Sequence, residues 1–280
     1  MIAAVLFGLG SAVFFALSAA LEQRAAKQEK PTRTLDPRLV LRLLHRPMWL
    51  FGWVPDAVGT VLQAIALSYG ALALVEPLLL GGVFMAIPLE AAMQRRRPHS
   101  RDLVVVAFGV IGLAAFLLAA DPGAGVTMPS TAAWVGVGAG VGAACAVSLL
   151  VAWRVRGGAA RGVALGVATG ALYGTAASLV KTVTQLLAHH PAAVFGHWQL
   201  YALIVVGGAA VTLNQNAFQG GPIAAPLTAI ALIDPIAGVL IGITAFREHL
   251  SAGGVRLLVE IFAGLVMTVC IWLASTTRSR

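Results

Sequence analysis

Charge and polarity are what this sequence has least of. Lys, Arg, Asp and Glu make up 11% of its 280 residues, where a soluble globular domain carries about a quarter. Mean hydropathy is +0.89. That shortage excludes a soluble domain with a polar surface around one core. Cysteine is nearly missing as well. Cys145 and Cys270 both fall inside apolar segments, so no disulfide or metal framework follows and both are expected to pack as small hydrophobes. The chain also lacks a Walker loop, a zinc-protease helix motif and a nucleophile elbow. Their absence leaves ATP-driven transport and the familiar hydrolases without support. No enzyme activity and no cofactor are expected.

What is present is apolar helix. A membrane-spanning helix needs about 20 mostly apolar residues, and nine such runs occur: roughly 2–21, 48–69, 72–93, 103–120, 131–153, 162–187, 198–219, 222–246 and 254–275. The fold class expected is an all-α, polytopic membrane bundle forming a single membrane domain. The first run has no Lys or Arg before it and is longer than a secretory signal core, so it is kept as a span.

The net charge of +8 would suggest nucleic acid in a soluble protein, but its distribution records orientation instead. Seven Lys or Arg lie in the 22–47 connection. Arg95, Arg96, Arg97 and Arg101 follow span three, and Arg154, Arg156 and Arg161 follow span five. All three stretches fall on one side. The loops near Ser68, Asp121 and His189 carry none, which puts the amino terminus outside and the carboxyl terminus in the cytoplasm, with the plasma membrane as the expected location. Arg247 and Arg256 dissent by falling outside, partly offset by Glu248. Within the first connection, Asp36-Pro37 is a good helix start. Arg38, Arg42 and Arg46 then recur opposite Leu39, Leu43 and Leu44, as in an interfacial amphipathic helix. A solvated basic loop is the plainer reading.

The stretch from Asn214 to Glu248, NQNAFQGGPIAAPLTAIALIDPIAGVLIGITAFRE, carries polar groups and prolines where an apolar helix should have neither. It is expected to hold the end of one span, a Gly220-Gly221-Pro222 reversal, and a second span broken at Pro226 and at Asp234-Pro235. Internal comparison gives it a partner. Gln63-Ala-Ile-Ala-Leu-Ser-Tyr-Gly70 aligns with Asn214-Gln-Asn-Ala-Phe-Gln-Gly-Gly221 at an offset of 151, which also carries Ser100 onto Ser251. Helix one matches helix six at an offset of 160, placing Gly10 on Gly170 and Ser18 on Ser178. Spans one to four (residues 1–120) therefore correspond to spans six to nine (162–280), with 131–153 as a linking helix. Five helices separate equivalent positions, so the copies cross in opposite directions. Pro77 and Pro88 in span three answer Pro226 and Pro235 in span eight. An inverted repeat with interrupted spans at matching positions points to an alternating-access carrier with a site near the midplane.

On these residues, QAIALSYGALALVEPLLL from Gln63, NQNAFQGGPIAAP from Asn214 and IDPIAGVLIGITAFRE ending at Glu248, the chain resembles the drug/metabolite transporter superfamily of the EamA-like kind. Its nine-helix layout is similar to the NIPA group, to which magnesium transport is ascribed. Members of the superfamily typically have ten spans in two five-helix halves. The resemblance implies secondary, carrier-type transport and no particular cargo; a carrier of a small solute is the main expectation, with coupling to protons or sodium left open. A divalent-cation permease and a non-transporting membrane scaffold stand as alternatives. Partners implied are a small-molecule or ion substrate and membrane lipids, with a homodimer open and no nucleic acid.

Each candidate site residue has a plainer role beside the functional one. Gly162, Gly166, Gly170 and Gly174, continued by Ser178, form a stripe at four-residue steps that lets another helix approach closely. Gly136, Gly138, Gly140 and Gly142 repeat the device in span five. Lys181 lies about 20° from Gly174 on an ideal helix and so points inward. It is expected to bind an anionic group, to pair with a carboxylate, or to snorkel to the headgroups. Asp234 is the acid deepest in a span, and there a charge costs about 2.5–3.5 kcal/mol on insertion scales. It either binds a cation or proton, or caps a half-helix restarted at Pro235. Glu76, before Pro77, invites the same two readings. Gln63, Asn214, Gln215 and Asn216 offer amides for interhelical hydrogen bonds or for substrate, and Tyr173 joins them as a substrate candidate. Asp56 and Glu260 lie near interfaces, and Glu90 is expected to pair with Arg95–Arg97. No metal site is expected, since His189 and His190 form an isolated pair in an outer loop.

Overall fold

Hydrocarbon offers a backbone no hydrogen-bond partner, so each apolar run closes its own bonds as a helix. The computed structural model describes residues 2–26, 47–93, 99–155, 157–218, 224–251 and 253–277. Residues 27–46 of the basic first connection, with its expected amphipathic helix, the Gly220-Gly221-Pro222 reversal and the Arg95–Arg97 cluster lie outside the described residues. The helices are α1 (Ile2–Ala26), α2 (Pro47–Tyr69), α3 (Leu72–Leu79), α4 (Gly81–Met93), α5 (Ser100–Ala120), α6 (Thr131–Val155), α7 (Gly158–His189), α8 (Trp198–Ala217), α9 (Ala224–Thr244) and α10 (Gly254–Thr277), with a 3₁₀ turn at Pro191–Gly196. Among the described residues, α5 to α10 are the six helices long and apolar enough to cross a membrane. Ile2–Ser18 and Leu72–Ala86 are shorter apolar stretches. The chain is a multi-pass membrane helical bundle.

Two of the expected helix breaks are corrected by α9, which runs without interruption from Ala224 to Thr244. Pro226 sits in its first turn, where a backbone N–H would have no partner within the helix anyway. Pro235 lies inside the helix, and its ring leaves only the Ala231 carbonyl short of a donor. Pro88 likewise sits within continuous α4. The interruption occurs instead at Leu80, between α3 and α4, three residues after Pro77. There the Leu80 N–H bonds to the Pro77 carbonyl at 3.1 Å and the Val83 N–H to the Leu80 carbonyl at 3.0 Å.

Glycine decides which helices approach most closely. A Cβ on Gly166 would meet Ala229 and Pro226. One on Gly170 would meet Ile233 and the Asp234 backbone, and one on Gly174 would meet Ala237 and the Gly238 backbone, all within 3 Å at the nearest atom. The pairs advance together along both chains, so α7 and α9 run side by side in the same direction. α1 meets the third run similarly, with Ala4 at Gly70, Gly8 on Leu78 and Gly82 on the Ala12 carbonyl. α6 departs from expectation: nothing lies within 4 Å of a Cβ on Gly136, Gly138, Gly140 or Gly142. Those four glycines leave a thin helix flank rather than a packed seam.

At one end of the bundle, apolar side chains of several helices form a core of Leu67, Leu72, Val75, Trp134, Leu179, Ile241 and Phe246. The loop after α5 pairs there with the chain after α9. Gly123 N–H donates to the His249 carbonyl at 2.8 Å, Val126 N–H to Phe246 at 2.6 Å, and Ser251 N–H to Ala120 at 2.8 Å. A second core joins α4, α5 and α10 through Phe84, Leu113, Met267, Cys270 and Ile271. Large apolar side chains such as Leu118, Trp153, Val205 and Phe262 face outward, as a lipid-facing surface requires.

Candidate functional site

In the eight-residue α3, Leu72 to Leu78 are all buried, and polar side chains from other parts of the chain converge on it. A buried helix start must find acceptors for its free N–H groups, and Ala71, at the N-cap, provides no side-chain bond. Glu248 supplies them from the distal part of the chain. Its carboxylate accepts the Leu72 N–H at 2.7 Å and the Ala73 N–H at 2.9 Å. Lys181 Nζ donates to the same carboxylate at 2.6 Å. Glu248 is 3% exposed and Lys181 6%, so this is a buried, charge-assisted network. The ammonium also lies 4.9 Å from the centre of the Phe246 ring, a cation–π distance.

One turn along α3, Glu76 is 2% exposed and accepts a hydrogen bond from Gln63 Nε2 of α2 at 3.0 Å. Its side chain packs against Gly238 so closely that any Cβ there would collide with it, just as a Cβ on Gly242 would collide with the Glu248 carboxylate. Asp234, Gly238 and Gly242 follow one another at four-residue steps on α9 and so share a face. Asp234 is half-buried, one turn before the Gly238 that Glu76 packs against. Its Oδ1 is buried with no hydrogen-bond partner.

The structure therefore joins Gln63 with Glu76 and Lys181 with Glu248, and sets Asp234 one turn from the Gly238 that Glu76 packs against. Lys181 does not snorkel. Asp234 does not cap a restarted half-helix, because α9 has no restart. Asn214 and Gln215 are half-buried at the end of α8 and stand apart from both pairs; Asn216 Nδ2 bonds back to Thr212 within that helix at 2.8 Å. Tyr173 is half-buried on α7. His189 and His190 are exposed, and the Glu90 side chain lies outside the described residues. Asp56 and Glu260 are half-buried. A cavity of about 690 Å³ lies elsewhere, between α6, α7 and α9, and is lined by Gly136, Gly140, Val167, Ile236, Leu240 and Thr244 among others. Among the described residues no group of three or more His, Cys, Asp or Glu could hold a metal ion.

Sequence reasoning missed Glu248 as a site residue, along with Gly238 and Gly242. The usable signal was charge bookkeeping: a Lys181 turned inward needs a carboxylate, and Glu248 is the acid directly after the α9 run. Gly238 and Gly242 share the four-residue spacing that singled out the α7 stripe.

Fold and site together define a membrane bundle with ionisable side chains buried where its helices meet. Comparison with known proteins adds a distant relative: the chain is 25% identical over 273 residues to a protein of Corynebacterium glutamicum described as uncharacterized, covering 95% of this chain and 94% of that one. No family model matches. No solved structure matches either.

Proposed function

We propose that this chain is a secondary, carrier-type transporter of small solutes, in which two inverted four-helix copies rock about the α3–α9 contact. The observation that carries the reading is the convergence of Gln63, Glu76 and Lys181 with Asp234 and Glu248 on α3. Ionisable residues inside a membrane protein are costly, and they usually mark a pathway or coupling site.

Support for nine crossings comes from which ends meet. The start of α1 lies by Gly70, and the Ser68 carbonyl at the end of α2 accepts from Gln185 near the end of α7. The start of α3 meets Glu248 after α9, the end of α5 meets the start of α10 through Ala120 and Ser251, and Trp134 of α6 meets Trp198 of α8 edge-on. Taking α3 and α4 as one span, nine alternating spans bring these neighbours to one side. Equivalent helices α1 and α7, α2 and α8, α3–α4 and α9, and α5 and α10 then run in opposite directions. The Lys and Arg distribution puts the Lys181–Glu248 end outside, at the plasma membrane.

The test is a thermal-shift screen of the purified protein against a solute panel that includes magnesium, since a ligand for the folded state raises its melting point by mass action. The solute found is then followed into proteoliposomes carrying Gly123→Cys and His249→Cys. Bridged residues lie at a separation that suits a disulfide. Oxidation is expected to stop flux and reductant to restore it. Flux indifferent to the crosslink, or binding with no flux, sinks the carrier reading and favours a scaffold.

A further inference from the structure

Glu76 and Asp234 come from opposite halves of the chain, yet Glu76 packs against Gly238, one helical turn from the half-buried Asp234. The donors there do not match the acceptors: Glu76 takes the Gln63 amide and packs against Gly238, while one turn earlier on the same helix face Asp234 Oδ1, buried, accepts nothing. Two neighbouring carboxylates do not both ionise freely in a dry site, and a hard metal ion asks for about six oxygens. Two carboxylates and one amide supply three ligand groups at most, so a metal there would keep several waters. A proton fits, because one carboxyl that carries it becomes the donor which the other accepts.

We propose that Glu76 and Asp234 form one proton-binding site shared between the two halves, with Gln63 as its positioning residue. The inference rests on the carrier reading for its purpose, gradient coupling, but not for its chemistry. A proton from solvent binds the pair and leaves by the same route, and no bond other than O–H is made or broken. Few other ionisable groups face the site. α7 offers Lys181, already held by Glu248, and Tyr173, half-buried next to Gly174 and with a contact of its own. Residues 2–21 of α1 and 103–120 of α5 contain none. On α10, Glu260 and Arg256 lie near its start, and on α2 the acid is Asp56.

Infrared difference spectroscopy on the purified full-length protein tests this without any substrate, because a protonated buried carboxyl has its own carbonyl stretch. Subtracting the Glu76→Gln/Asp234→Asn double variant isolates the pair. The wild-type protein is expected to lose two carboxyl signals in two separated steps as pH rises, since interacting acids titrate as a pair. Glu76→Gln and Asp234→Asn are each expected to leave a single step between those two. Gln63→Leu keeps both acids and is expected to shift the steps, which covers the case of a carboxyl variant that does not fold. Single steps that coincide with the two wild-type steps overturn the shared site, as does a difference spectrum with no carboxyl signal. A paired titration without solute flux sinks the carrier reading and leaves this one standing. Flux with independent acids does the reverse.

Discussion

Glu248 accepts from three donors at once, two backbone N–H groups of α3 and the Lys181 ammonium, so its loss strands all three in a buried place. Breaking one partner of a buried pair typically costs about 3–5 kcal/mol, whereas replacing both partners by neutral groups is often close to neutral. Glu248→Ala is therefore expected to lower the melting temperature sharply or abolish recovery of monodisperse protein. Lys181→Met combined with Glu248→Gln should be more stable than Lys181→Met alone, because the amide oxygen still accepts from α3 and no lone charge remains. Thermal unfolding in detergent separates these. Equal melting temperatures for all variants would mean that the network does not hold α3. At this scale the sequence made Lys181 conspicuous but left its role open, since a helical wheel shows which way a side chain leaves its helix and not what waits across the gap.

Helices here are held by small residues more than by bulky ones. Gly174 lies against backbone of Asp234 and Gly238, with an added Cβ at 2.7–2.8 Å from it, and backbone cannot swing aside. Gly174→Ala is expected to destabilise the bundle by about 1–3 kcal/mol, the usual range for overpacking. Gly138→Ala on α6, with open space around it, is expected to be neutral or to stabilise by about 0.5–1 kcal/mol through helix propensity. If unfolding midpoints moved alike in both, close approach of α7 to α9 would not be the reason for the α7 glycines. The four-step run of α7 and the two-step run of α6, Gly136 to Gly142, both read as packing stripes in sequence and part company in space because a stripe packs only where a partner helix lies along it. The prolines mislead for a related reason. Pro226 falls where no bond is lost, and Pro235 is tolerated in a helix flanked along its length by α7, so of the four only Pro77 stands beside a real interruption.

For the whole molecule, the alternation of helix ends makes a labelling prediction. In sealed vesicles, with Cys145 and Cys270 replaced by Ser, single cysteines at Asp121, His189 and Gly253 should react with an impermeant thiol reagent from one side. Cysteines at Arg101 and Arg154 should react only from the other. All five positions are exposed, so silence cannot be blamed on burial. A mixed pattern would overturn nine crossings and, with them, the inverted arrangement of the copies.

Composition and periodicity by themselves determined that this is a membrane protein of packed helices, because a chain this poor in charge and this rich in 20-residue apolar runs has no other stable solution. Most helix boundaries follow to within a few residues, since apolar runs end where loops turn polar. Only the tertiary structure decided which polar groups meet. Glu248 reaches Leu72 and Lys181 across 176 and 67 residues of chain, and Gly238, one turn from Asp234, meets Glu76 from the other half. No local pattern encodes such distances: the partners are chosen when α9 settles against α3, and Gly238 and Gly242 leave just enough room for two carboxylates.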